Sequence, residues 1–205
     1  ESRAVLARVE GPARGVLGAE RVALNLVQRM TAIASMTKAF VDAAGPRVRV
    51  VDTRKTTPGL RSIERHAVVC GGGRNHRYSL SGVVMVKDNH VALVGDITAA
   101  LIAARAQLPH TTHIEVEVDR IEQIEPVLAG GVDTIMLDNF SLDELREGVE
   151  IVSGRAIVEA SGGVNIDTIA DIAQTGVDVI SVGALTHGVK NLDLGLDVVI
   201  HAVPS

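Results

Sequence analysis

HIEVEVDRIEQIEPVLAGGVDTIMLDNFSLDELREGVEIVSGRAIVEASGGVN, residues 113–165, is the stretch on which the fold turns. HIEVEV (113–118) reads as a strand and RIEQIEPVLAG (120–130) as a helix. DTIML (133–137) and LDELREGVEIV (142–152) repeat the pair, and AIVEA (156–160) opens a third. The strands are short β-branched runs, and the helices carry apolar residues at spacings of three and four. A strand followed by a helix and then another strand returns the chain in the same direction, so this beat predicts a parallel sheet.

The pattern extends both ways. Downstream come a helix, IDTIADIAQTG (166–176), and a strand, DVISV (178–182). Upstream lie VRVVD (48–52) with RSIERHAVV (61–69), and VVMVK (83–87) with ITAALIAARAQ (97–107). A long helix is expected from Gly18 to Ala44, on the period of Val22, Leu26, Met30 and Ile33, closed by Gly45-Pro46. Residues 1–10, ESRAVLARVE, read as a short strand with nothing nearby to pair with, and GPARG (11–15) as a turn. Six parallel strands can form an open doubly wound sheet or an α/β barrel. Each strand here ends in a polar residue or glycine: Asp52, Lys87, Glu117, Asp138, Ser161, Gly183. That favours the barrel, whose C-terminal rim carries the active site. An open sheet would concentrate its ligand at one switch point.

Strand 113–118 also predicts an unusual interior. Ile114, Val116 and Val118 share one face and must meet the surrounding helices. Glu115 and Glu117 then point inward, where a carboxylate is costly without a cation. Lys55, Lys87 or a metal ion could supply one.

Composition narrows the partners. With no Trp, one Tyr and two Phe the chain lacks stacking platforms for single-stranded nucleic acid. A net charge of -5 opposes a duplex DNA partner. No nucleic-acid partner is expected. No apolar run reaches membrane-spanning length. Cys70 is alone, which excludes an intrachain disulfide or a cysteine zinc site and suits a reducing, cytoplasmic compartment.

The basic residues therefore serve something local. DTRKTTPGLR (52–61) follows a strand and places Arg54 beside Lys55. GGGRNHRYSLSG (71–82) brings Arg74, His76 and Arg77, and the next strand ends at Lys87. Guanidinium forks and ammonium groups clustered at strand ends repel one another unless an anion, phosphate or carboxylate, relieves them. Solvated basic loops are the plainer alternative. Glu117 and Asp138 stand at successive strand ends and could accept ribose hydroxyls or hold a divalent metal. Asp138 could instead cap the following helix, a task open also to Asn139 or Ser141. SGGVN (161–165) and VGALTH (182–187) follow the last two strands, where barrels customarily hold phosphate, although glycine there also serves ordinary turns.

The blocks DTRKTTPGLR, GGGRNHRYSLSGVVMVKDNH, IEVEV, IMLDN, EASGGVN and ISVGALTH resemble, in order and spacing, the quinolinate phosphoribosyltransferase family, from about Val9 to the end. The resemblance implies an incomplete, type II phosphoribosyltransferase-like α/β barrel over residues 16–205. Residues 1–15 would be a remnant strand and linker of an N-terminal sandwich domain of roughly 100 residues. It implies transfer of phosphoribose from phosphoribosyl pyrophosphate (PRPP) to quinolinate, with decarboxylation, giving nicotinate mononucleotide, pyrophosphate and carbon dioxide in NAD biosynthesis. Magnesium is the implied cofactor, at Glu117 and Asp138, directly or through water. Arg54, His76, Arg77 and Lys87 match the quinolinate positions. Lys55 matches a lysine between the substrates and is catalytic together with Glu117 and Asp138. Ser161, Gly162, Gly163, Gly183 and His187 match the phosphate-binding loops. Arg21 matches an arginine that reaches into a partner's site, so a homodimer is expected. A related transferase with another ring acid as acceptor, or a barrel that binds phosphorylated ligands without turnover, keeps the same fold.

Overall fold

The computed structural model describes residues 4–199. A 32-residue helix α1 (Ala13–Ala44) leads into strand β1 (Arg49–Val51) and helix α2 (Arg61–Cys70). Next come β2 (Val84–Val86), α3 (Asp88–Leu93), α4 (Ile97–Gln107), β3 (Ile114–Val118), a 3-10 turn (Ile121–Gln123) and α5 (Ile124–Ala129). The chain continues through β4 (Thr134–Asp138), α6 (Leu142–Val152), β5 (Ile157–Ser161), α7 (Ile169–Ala173), β6 (Val179–Ser181) and α8 (Ala184–His187).

The six strands form one sheet in the order β1-β6-β5-β4-β3-β2, and every pairing is parallel. β1 and β2 are its edges, so the barrel is not closed by strand hydrogen bonds. A single parallel bridge from Val51 to Arg74 lays the segment after α2 along the free edge of β1. The outer faces of the strands, including Val50, Ile114, Val116, Ile135, Leu137, Val158 and Ile180, pack with Ile33 and Phe40 of α1 and with Val68, Leu101, Ile124, Leu145, Ile169 and Leu185 in one core. Aliphatic side chains of this kind fill the space between a parallel sheet and its helices, and their burial drives the fold.

Two expectations are corrected. Residues 4–10 form no strand; they are irregular and exposed, and residues 1–3 lie outside the described residues. A lone strand has no ladder to satisfy its backbone, so its local propensity is not enough. The long helix begins at Ala13 rather than Gly18, directly after Pro12, whose φ of -56° is already helical. It runs through Gly15 and Gly18. No helix is long and apolar enough to cross a membrane, among the described residues.

Candidate active site at the C-terminal rim

The inner face of the sheet is polar at its centre, as the alternation in IEVEV predicts. Glu115 and Glu117 are buried, at 3% and 9% exposure. Two different cations meet them. Lys87, just beyond β2, places Nζ 2.5 Å from Glu117 Oε2. Glu115 is met by His76, whose Nε2 lies 3.3 Å from Glu115 Oε1 and 3.4 Å from Glu159 Oε1. Lys55 goes elsewhere. The sheet is strongly curved, since His76 arrives beside β1 yet touches both β3 and β5.

Glu159 is an inward acid that the sequence pattern did not single out. It is 3% exposed on β5, and its Oε1 has no hydrogen-bond partner of good geometry. The alternation that placed Glu115 inward applies equally to Ile157, Glu159 and Ser161, against Val158 and Ala160 in the core. Burial alone would lower the pKa of His76, but the hydrogen bond to Glu115 and the charge of Glu115 and Glu159 overcome it and push it up to about 10. The Arg77 N–H donates to His76 Nδ1 at 2.7 Å, which requires a bare Nδ1 and pulls the other way. A proton on Nε2, facing the acid pair, is common to both states. The three ligand atoms lie close enough to hold a metal ion. The Nε2 proton already supplies their link.

The corner carrying His76 and Arg77 is built from below. Asp52, wholly buried after β1, accepts the His76 N–H at 2.7 Å and Arg65 Nη1 at 3.2 Å. Arg65 also donates to the carbonyls of His76, at 2.6 Å, and Arg77, at 3.2 Å, with its guanidinium 5.3 Å from the Tyr78 ring centre. Burial pushes the Asp52 carboxyl up to about 6, against the lowering effect of these donors. The Arg77 side chain reaches Met85 on β2, with Nη2 3.1 Å from its sulfur. Burial and the nearby charge of Arg54 lower the pKa of Arg77, and Glu115 opposes them. Arg54 keeps its Nε buried without a hydrogen-bond partner. The charge of Arg54 thus bears on Arg77, and Arg54 has an unused donor.

Asp138 ends β4 half-buried, and Asn139 Nδ2 donates to its Oδ2 at 2.8 Å. It is not the cap of α6. Ser141 is, in a capping box with Glu144, so Asp138 is left for other work. Ser161 pairs with Asp138 in register, and Gly162 follows with φ of 91°. A side chain at Gly162 would collide with Asn139, so only glycine allows this approach. Gly163 also has positive φ. Gly183 is flanked by His187 and Lys55: a Cβ there would lie 3.0 Å from His187 Nε2 and 3.3 Å from Lys55 Cδ. Lys55 and His187 are exposed at the rim. Arg21 is exposed on the first half of α1 and joins none of these contacts among the described residues.

Residues 33–197 match the family model for the quinolinate phosphoribosyl transferase, C-terminal domain. The chain belongs to this family. It is 44% identical over 197 residues to a probable nicotinate-nucleotide pyrophosphorylase (carboxylating) of Bacillus subtilis, covering 96% of this chain and 68% of that protein. It is 47% identical over 196 residues to the nicotinate-nucleotide pyrophosphorylase (carboxylating) of Mycobacterium leprae, covering 94% and 69%. The crystal structure of NadC from Streptococcus pyogenes superposes with a TM-score of 0.85 at 47% identity, over 89% of this chain and 65% of that one. The chain thus spans about two thirds of the length of these relatives.

Proposed function

We propose that this chain is the catalytic barrel of a quinolinate phosphoribosyltransferase, joining quinolinate to PRPP with loss of carbon dioxide and pyrophosphate in NAD biosynthesis. The observation that carries the reading is the set of cations at one rim: Arg54, with a buried unused donor, Arg77, on which the charge of Arg54 bears, and Lys87. A planar dicarboxylate answers that geometry, because each guanidinium can grip a carboxylate at two points.

In this reading Arg54, Arg77 and Lys87 hold the ring acid, and His76 supports Arg77 from beneath. Lys55, with Gly183, His187 and the Ser161–Gly163 loop, takes the phosphate groups. Glu117 and Asp138 face the ribose and stabilise positive charge as the bond from C1′ to pyrophosphate breaks. The pyridine nitrogen forms the new bond to C1′. The positive ring then accepts the electron pair left when the 2-carboxylate departs as carbon dioxide, and a proton completes the carbon. Holding the two reactants in line supplies much of the acceleration.

Glu117 and Asp138 offer hard oxygen donors at neighbouring strands, and the one hydrogen bond to the Asp138 carboxylate comes from adjacent Asn139, among the described residues. That donor set suits magnesium, which when bound neutralises the leaving pyrophosphate. A homodimer in which Arg21 completes the partner's quinolinate site, and a cytoplasmic location, go with this reading, supported by the exposed position of Arg21 and by the free thiol of Cys70.

Arg77→Ala tests it. Quinolinate binding, measured by calorimetry, should weaken about 100-fold while PRPP binding persists. Equal weakening of both ligands removes Arg77 from the acid side. Release of carbon dioxide from quinolinate separates this reaction from transfer to another ring acid.

A further inference from the structure

We infer that Arg29 and Glu64 are positioning residues for the phosphate side of the site, clamping the Lys55 loop against the loop that bears Gly183 and His187; this rests on the phosphoribosyl-transfer reading above. Neither residue reaches the rim. Glu64, in the first turn of α2, is wholly buried, and its Oε1 accepts Arg29 Nε at 2.7 Å. Arg29 Nη2 then donates to two separate segments: Thr57 Oγ1 at 3.1 Å and the carbonyl of Thr186 at 2.6 Å. The second oxygen of Glu64 accepts the Thr57 N–H at 3.0 Å. The ring is closed by Thr186, itself wholly buried, whose Oγ1 donates to the carbonyl of Lys55 at 2.7 Å.

Packing alone does not call for this arrangement. A buried ion pair is costly to desolvate, and two apolar side chains would usually stabilise the same space as well. The guanidinium contributes direction instead. With Nε held by Glu64, its Nη2 fixes the distance between segments 129 residues apart, Thr57 and Thr186. α8 has only four residues and cannot hold its own place. The consequence appears at the rim, where the Lys55 stem and the His187 ring both lie against Gly183. A shift of one loop by an ångström would separate the Lys55 stem from Gly183, an error of the size that weakens a preorganised site about 100-fold.

The test uses the 205-residue chain with PRPP and quinolinate as separate calorimetric ligands. Arg29→Met should weaken PRPP about 10- to 100-fold and leave quinolinate within about threefold. Arg29→Lys, which keeps the charge but loses the fork, should weaken PRPP about tenfold and serves if the methionine variant does not fold. The double variant Arg29→Met with Glu64→Leu should regain thermal stability without regaining PRPP affinity. PRPP affinity that returns together with stability, stays unchanged in folded Arg29→Lys, or falls in step with quinolinate overturns the clamp. An unmodified chain that binds neither ligand overturns the transferase reading and the clamp with it.

Discussion

Four carboxylates share the inner face of one sheet, yet they belong to two environments. Glu115 and Glu159 lie deep, at 3% exposure each, and share one imidazole. Glu117 and Asp138 stand nearer the strand ends, where Glu117 meets a half-exposed lysine and Asp138, among the described residues, accepts a hydrogen bond only from the neighbouring amide. Glu117 is two residues beyond Glu115, a rise of about 7 Å. That one step along a strand separates an acid that must be neutralised within the chain from one that can answer to a ligand. The lower pair is tied up within the chain, whereas in the proposed function the upper pair faces the ligands.

The sharpest way to break this division is to remove one lower acid. Glu115→Ala should cost about 3 kcal/mol of unfolding free energy in urea, because a buried His76 loses a main partner. Glu117→Ala should cost under about 1 kcal/mol, since Lys87 is 46% exposed and returns to water. Similar losses in both variants would erase the distinction.

A smaller effect should appear with pH. His76 is pushed up to about 10 in the fold, so its contribution is complete below the ordinary value near 6.5 and is lost as pH rises through about 10. Asp52 is raised to about 6 and keeps a proton that the unfolded chain has released, so stability also falls between about 4 and 6. The two windows do not overlap. Unfolding midpoints measured from pH 6.5 to 10 should fall in the unmodified chain by the equivalent of a few kcal/mol, and His76→Gln should flatten that limb. A flat limb in the unmodified chain would mean that the Arg77 N–H keeps Nδ1 bare and the ring neutral.

Much of this was legible in the chain itself. The strand and helix beat from residue 113 onward placed β3, β4, β5 and α6 within about two residues, because short aliphatic runs and helical spacing are local signals. The inward glutamates of β3 followed from alternation. Glu159 escaped because a single acid in AIVEA looks like a strand-end residue until its neighbours' faces are assigned. α3 and α8, of six and four residues, are too short to show a period. Contacts such as Arg29 with Thr186 or His76 with Glu159 join distant segments, and no local pattern records them. The expected metal-binding acids remain a proposal at Glu117 and Asp138, while the cluster of possible ligand atoms found among the described residues is the imidazole and its two acids.

The smallest stability effect should come from Asp138→Ala, and it discriminates well for that reason. α6 is capped by Ser141 and Glu144 without help from Asp138, and the Asn139 amide can turn to water. Unfolding free energy should stay within about 0.5 kcal/mol of the unmodified chain. PRPP affinity measured in magnesium should nonetheless fall at least about tenfold, and the gain in affinity that magnesium brings should shrink. Quinolinate binding should not move, because Arg54, Arg77 and Lys87 are untouched. A residue that matters only to the fold cannot produce that pattern: it would lower stability first and weaken both ligands together. If Asp138→Ala behaves in that second way, the upper pair is as structural as the lower, and ribose and metal must be held elsewhere on the rim.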